Sequence, residues 1–228
     1  TVTLIKNLFG DIRHDSPMRQ KPLVLEEQTS PSVKILYKDS DQTNLIVGFR
    51  GYPAGHPMRY PAEVLATLLG SGMSSRMFVR VREKLGLAYT VMSSHEEYSN
   101  RGFLTTYAGV SHNSVEKAIK AILEEYKRVC EEKISPQELQ KVKDYNRGTT
   151  LIALEQSNAV ASFVGTEEMV TGKPVTIDEV FAKLDAVTVD DICSVARDIM
   201  RPERLNLAMI GPFRDNTSFE KLLKGFNI

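Results

Sequence analysis

The stretch LLGSGMSSRMFVRVREKLGLAYTVMSS, residues 68–94, contains the local signals that decide the fold. A turn rich in glycine and serine, residues 70–75, follows an apolar helical pattern. A second helix is predicted over 74–84, because apolar residues recur at helical spacing and Gly86 provides a stop. Residues 87–95 then predict a strand, so this stretch has the order turn, helix, strand.

The segments on the N-terminal side of this stretch predict two strands and one helix. VKILYK (33–38) and TNLIVGFRG (43–51) are rich in β-branched and large apolar residues, which predicts two strands and leaves a hairpin between them open. A short helix is predicted over 61–69, where a proline precedes an apolar face. Residues 1–32 are predicted to be a linker or extended N-terminal segment, because they contain three prolines, and the folded domain is predicted to span 33–228.

The segments on the C-terminal side predict a strand pair followed by several helices. The strand candidates 87–95 and 101–110 flank a polar tip, which predicts an antiparallel pair. A strong helical period starts at Asn113, and a less regular helical pattern covers 149–171. Four helix starts have a capping residue followed three positions later by an acidic residue: Asn113 with Glu116, Ser135 with Glu138, Thr176 with Glu179, and Thr188 with Asp191.

A strand over 205–211 and a short helix over 217–224 complete the pattern. The strands are separated from the long helices, which is typical of the α+β class. We therefore predict a mostly antiparallel sheet with helices packed on one face.

The composition is that of a soluble globular protein, with 42% hydrophobic and 25% charged residues. Lys and Arg together number 29, as do Asp and Glu, so the formal net charge of zero argues against nucleic acid as a partner. No apolar run approaches the roughly 18–20 residues of a membrane span, and no export signal is present. Cys130 and Cys193 lie in apolar helical patterns and are predicted to be buried, reduced thiols, which favours a cytoplasmic location.

The sequence offers weak signals for a metal site or a nucleophile. The four histidines are His14, His56, His95 and His112, and the closest two are separated by 17 residues, whereas zinc ligands on a helix commonly lie within one turn. The 70–75 turn follows a helix instead of a strand, which is the wrong context for a nucleophile elbow. It also lacks the lysine of a phosphate loop. We interpret this turn as structural.

A basic segment next to an apolar strand is the stronger candidate for function. Arg80, Arg82 and Lys84 form it, and one interpretation is a solvated helix face. The other is that Arg82 and Tyr89 converge on an anionic or carbonyl group, Arg by its charged fork and Tyr by its hydroxyl. The spacing alone leaves both interpretations open.

The segment quoted first is very similar to the second-half signature of the pitrilysin/insulinase family of zinc peptidases, which includes the mitochondrial processing peptidase. The resemblance begins at Gln42-x-x-Leu45, includes Gly70–Tyr89, and continues through the helical block 113–200 and the strand 205–211. It covers nearly the whole chain, which thus resembles the C-terminal, non-zinc-binding half of such a peptidase.

The resemblance implies paired homologous domains that enclose a chamber, each an antiparallel sheet covered by helices. The family's catalytic half has the motif H-x-x-E-H on its first helix, where zinc polarises the scissile carbonyl and the Glu activates water. This sequence lacks the motif, since the corresponding helix, Pro61–Leu69, contains no histidine and Glu63 is its only residue of a type that can ligate zinc. We therefore expect no catalytic residue, metal ligand or cofactor in this chain, and zinc in a complementary half.

The resemblance also implies substrate-binding roles for Arg82 and Tyr89, whose separation of seven residues matches the family pattern. Both are expected to hydrogen-bond the peptide backbone near the cleaved bond. A strand edge near 87–95 is expected to hold substrate by β-addition.

Three functions remain open from the sequence. The first is the non-catalytic, substrate-binding half of a zinc metalloendopeptidase, with peptide substrates and a zinc-binding half in the same chain or in a partner subunit, as a homo- or heterodimer. The alternative is a catalytically inactive family member that acts as a scaffold or peptide-binding subunit. The third is an unrelated α+β interaction domain, which would require Arg82 and Tyr89 to be far apart and buried.

Overall fold

The computed structural model describes residues 1–12, 22 and 25–228. The other residues belong to the predicted linker and include His14, and they lie outside the described residues. A helix, α1, spans Val2–Phe9, and none of its residues is buried. The domain division at residue 32 stays a prediction.

One sheet of five strands forms the centre of the described chain. The order across the sheet is β1-β5-β2-β4-β3, and every neighbouring pair is antiparallel except β1 and β5, which are parallel. This arrangement confirms the predicted α+β class and its mostly antiparallel sheet. The strands are β1 Ser32–Tyr37, β2 Thr43–Gly51, β3 Ala88–Glu97, β4 Gly102–Val110 and β5 Asn206–Gly211.

The structure does not contain the hairpin that the sequence left open between β1 and β2. β5 lies between β1 and β2, so Val33 pairs with Leu207 instead of with a residue of β2. The local alternation of apolar residues indicates that a segment is a strand, but it does not select its partner. The antiparallel pair of β3 and β4 is confirmed.

The remaining elements are helices that cover one face of the sheet. Inward-facing residues of β2, Leu45, Val47 and Phe49, are at most 1% exposed, whereas Ile46 between them is 43% exposed on the opposite face. The helices are α2 Arg59–Gly70, α3 Val115–Glu131, α4 Pro136–Ala153, α5 Ser157–Thr171, α6 Ile177–Ala186, α7 Val189–Ile199 and α8 Thr217–Lys224, with a π-helical segment at Phe78–Lys84.

Three of the four predicted helix caps are confirmed. Ser135 accepts a hydrogen bond from the backbone of Glu138, and Thr176 and Thr188 form complete capping boxes. The prediction of a cap at Asn113 is wrong. This residue lies inside a 3-10 turn, His112–Ser114, and α3 begins after Ser114.

The helical layer differs from the prediction at one stretch and agrees with it at the two cysteines. The helical stretch expected over 149–171 is two helices, because α4 ends at Ala153 and α5 begins at Ser157. Cys130 and Cys193 are free and buried, as predicted, and burial raises the pKa of Cys130 to about 12.

No helix in the described ranges is both long and apolar enough to cross a membrane.

Helix α2 approaches the sheet closely at its C-terminal end. Gly70 is its last residue, and a Cβ atom added there would overlap the backbone nitrogen and the side chain of Ser93 in β3. Glycine therefore allows the helix end to lie directly on the strand, which fixes where the following turn begins.

Candidate functional site

The turn after α2 is held by its own hydrogen bonds and by one ion pair. Gly72 adopts φ +80°, a conformation that glycine accepts without strain, and the buried Ser75 donates its hydroxyl to the Gly72 carbonyl oxygen at 2.8 Å. Arg76 donates two hydrogen bonds of 2.8 Å to the carboxylate of Glu138 in α4. These bonds hold the pKa of Glu138 below its usual range. The contacts agree with the interpretation of this turn as structural.

The π-helical segment that follows turns directly into β3. Val81 is fully buried and anchors it, and its carbonyl oxygen accepts a 2.9 Å hydrogen bond from the Leu87 backbone. Gly86 between them has φ +60° and allows the reversal. The last turn of the segment, with Arg82, therefore lies beside the first residues of β3.

A bulge orients Tyr89 at the start of β3. Ala88 pairs with Val110 and Thr90 pairs with Gly109, so Tyr89 is an extra residue without a partner in β4. Such a bulge changes the direction of a side chain relative to the regular alternation of the strand. Tyr89 is 76% exposed.

The structure brings Arg82 and Tyr89 together on the surface. The Arg82 Cζ atom lies 5.5 Å from the centre of the Tyr89 ring and 4.8 Å from the centre of the Phe78 ring. Arg82 is itself exposed. The two residues are thus neither far apart nor buried, which removes the condition that favoured an unrelated interaction domain.

The neighbouring arginine differs from Arg82 in its charge partners. Arg80 donates to Glu124 at 2.9 Å and lies 3.9 Å from Glu125, so its charge is compensated within the protein. Arg82 forms no ion pair with any residue that the structure describes, and its contacts there are the two aromatic rings. Its five N–H donors are therefore available to a ligand.

The strand that carries Tyr89 lies at the edge of the sheet. In the order β1-β5-β2-β4-β3, the strand β3 has a neighbour only on the β4 side. On its other side no described residue pairs with it as a strand, and an extended peptide can pair with the backbone of such an edge. We call Arg82, Tyr89 and this strand edge together the β3 edge site.

The residues that could bind a metal are dispersed. Among the residues described, no group of three or more His, Cys, Asp or Glu side chains is placed to hold a metal ion. Two histidines have other roles: His112 bonds to Thr43 and to the Ser40 carbonyl oxygen, and His56 stacks on Tyr52 at 4.2 Å.

Glu63 on α2 also does not fit a zinc site. Its pKa is raised by desolvation and then by the carboxylate of Glu97, although part of the residue contacts solvent. The nearby His95 has a side chain only 1% exposed, with its Nδ1 atom 3.5 Å from Glu97. Glu63, His95 and Glu97 are thus near one another, but they are not placed to hold a metal ion. The zinc that the resemblance implies is expected in the other half.

A charged cluster at the start of α2 has no recognisable motif in the sequence. Arg59 is buried and pairs with Glu167 at 3.0 Å and with Glu97 at 3.6 Å, and it donates to the Tyr60 hydroxyl at 2.8 Å. These bonds connect α2 with α5 and with the end of β3, beside a cavity of about 650 Å³. The only signal in the sequence was an arginine next to an apolar helix.

Comparisons with known proteins agree with this fold. A family model described as "Peptidase M16 inactive domain" matches residues 1–146. A Bacillus subtilis (strain 168) protein named "Uncharacterized zinc protease YmxG" is 36% identical over 77% of this chain and 42% of its own length. A Mycobacterium bovis relative, "Uncharacterized zinc protease Mb2805c", is 29% identical over 98% of this chain and 51% of its own length.

A solved structure shows the same fold. It is described as a protease from Helicobacter pylori, and the match covers 92% of this chain and 51% of that chain, with a TM-score of 0.81 and 20% identity. The chain thus spans about half the length of the relatives that it matches.

Proposed function

The chain belongs to the M16 peptidase family as an inactive domain, a non-catalytic half of a peptidase-like protein, and from this premise we propose that it binds the peptide substrate of a zinc-binding half. The proposal places the substrate at the β3 edge site. Zinc is assigned to the complementary half, because the residues of α2 and its surroundings here do not fit a metal.

The observation that carries the proposal is the uncompensated charge of Arg82. An exposed guanidinium in contact with two aromatic rings, without an ion-pair partner among the described residues, has donors that no described residue pairs with and a restricted orientation. A peptide carbonyl oxygen is an acceptor that these donors suit, and the Tyr89 hydroxyl supplies a second polar group beside them.

The edge strand supplies the second part of the binding surface. A peptide added alongside β3 pairs through its own backbone, which makes binding tolerant of the peptide sequence. Arg82 and Tyr89 then act as positioning residues that orient one part of the bound backbone. Orientation of a substrate lowers the entropic cost of the reaction in the complementary half.

The experiment compares substitutions in this chain when it is combined with its complementary half, either joined to it or as a partner subunit. We expect Arg82→Ala to lower kcat/KM for peptide hydrolysis by about tenfold or more, because a substrate-orienting contact is lost. Arg80→Ala is the matched control, since that arginine is already paired with Glu124, and we expect it to leave kcat/KM nearly unchanged.

Two further measurements define the outcome. Tyr89→Phe keeps the ring beside Arg82 and removes only the hydroxyl, so a loss of activity assigns the effect to hydrogen bonding. Zinc content and the unfolding midpoint should be the same in all variants. Equal kinetics for Arg82→Ala and Arg80→Ala would contradict the proposal, and absence of hydrolysis and of zinc in the wild-type combination would favour the scaffold alternative.

A further inference from the structure

The N-terminal helix α1 is apolar and has no buried residue. Leu4 is 60% exposed, Leu8 is 67% exposed and Phe9 is 58% exposed. Isolated helices shorter than about 12 residues are marginally stable in water, and α1 has only eight residues. A surface that covers its apolar side chains would therefore stabilise it.

The apolar residues of α1 occupy one side of the helix. With 3.6 residues per turn, the polar residues Thr3, Lys6 and Asn7 fall on the opposite side. The apolar side is formed by Val2, Leu4, Ile5, Leu8 and Phe9. This segregation is typical of a helix that packs against another apolar surface.

The last helix of the chain, α8, shares part of the pattern of α1. Both helices have eight residues, and both are followed by a glycine whose backbone N–H donates to the carbonyl oxygen of a lysine four residues earlier, Gly10 to Lys6 and Gly225 to Lys221. Four corresponding positions agree in character: Leu4 with Phe219, Lys6 with Lys221, Leu8 with Leu223, and Gly10 with Gly225. Other positions differ, since Ile5 corresponds to Glu220 and Phe9 to Lys224.

The structure shows how α8 uses these positions. Phe219 is 2% exposed and Leu223 is fully buried in the core. The Phe219 ring also contacts the ring of Phe213 edge to face at 5.5 Å, at the end of the sheet beside β1. Leu4 and Leu8 occupy the equivalent positions of α1, but they are exposed.

We propose that α1 is the closing helix of the complementary half, and that Leu4 and Leu8 pack on the sheet of that half as Phe219 and Leu223 pack here. The relatives are about twice as long as this chain, so a second unit of similar size is available to cover the helix. The inference rests on the proposed function only in requiring a complementary half. It assigns α1 to a different unit from the sheet of this chain.

The test measures amide hydrogen exchange in α1 for the 228-residue chain alone and for the chain combined with its complementary half. We expect the α1 amides to exchange at least about tenfold more slowly in the combination, because packing suppresses local opening. Leu8→Asp should remove this protection. Thr3→Asp introduces the same charge on the polar side, at the position that corresponds to the exposed Ser218 of α8, and it should keep the protection.

Peptide hydrolysis and zinc content are measured on the same samples, so the two proposals are separated. Protection of α1 that Leu8→Asp removes supports this inference even if no hydrolysis is found. Hydrolysis with α1 amides that exchange equally fast in both samples overturns this inference and leaves the proposed function standing. Protection in the chain alone that rises with its concentration also overturns it, because a second copy then covers the helix.

Discussion

At the scale of single residues, two positions determine where the β3 edge site lies. Gly70 allows α2 to contact β3 at Ser93, and the bulge at Tyr89 directs that side chain to the surface. The sequence predicted a glycine-rich turn and a strand at these places. It could not predict the contact with Ser93 or the bulge, because both depend on residues that are distant in the chain.

Gly70→Ala is predicted to destabilise the domain. The added methyl group would meet the backbone of Ser93, which can move only if α2 and β3 separate. We expect a loss of about 2 kcal/mol in the free energy of unfolding, measured by urea denaturation, because overpacking of a close contact typically costs 1–3 kcal/mol.

Gly148→Ala provides the control for this prediction. Gly148 lies within α4, and a Cβ atom there has no neighbour within 4 Å. Alanine should therefore stabilise the protein slightly through its higher helix propensity. If both substitutions had the same effect, the close approach of α2 to β3 would not be the reason for glycine at position 70.

At the scale of elements, sequence patterns predicted most segments but not how they are connected in space. The caps at Ser135, Thr176 and Thr188 were predictable because their hydrogen bonds join residues three apart. The hairpin between β1 and β2 was wrong because the competing partner, β5, comes from the other end of the chain. The contact between Arg82 and Tyr89 was partly predictable, because only the reversal at Gly86 separates these two residues along the chain.

Thr188→Ala tests the capping of α7. The Thr188 hydroxyl accepts a hydrogen bond from the Asp191 backbone at 3.1 Å, and the Asp191 carboxylate accepts one from the Thr188 backbone at 2.8 Å. We expect alanine to lower the free energy of unfolding by about 1 kcal/mol. Thr188→Ser retains the hydroxyl and should restore most of this stability. An alanine variant as stable as wild type would show that the cap contributes nothing to the fold.

At the scale of the whole molecule, the helices cover one face of the sheet, and the N-terminal segment crosses only part of the other, where Glu26 pairs with Arg50 and Arg204. Ile46, Met92 and Phe103 are each at least 40% exposed on strands whose alternate residues are buried. Ile46 and Met92 both flank Tyr107 across the sheet, and an exposed apolar group of this kind is typical of an interaction face. It is consistent with a domain that operates together with a second unit.

The 228-residue chain alone is predicted to hydrolyse no peptide and to bind no zinc in equimolar amount. The reason is that no group of metal-binding side chains is assembled among the described residues. Both properties should appear when the complementary half is added, as measured by metal analysis and by peptide cleavage. Equimolar zinc in the isolated chain would contradict the placement of the zinc site in the other half.

The position of β5 between β1 and β2 has a consequence for synthesis on the ribosome. Ser32 pairs with Asn206, so β1 must wait for a strand that is synthesised 206 − 32 = 174 residues later. Until β5 emerges, the edges of β1 and β2 that it later joins have no partner in this sheet. Pairings between distant segments form slowly, and unpaired edges favour aggregation. During co-translational folding the sheet is therefore complete only when β5 has left the exit tunnel.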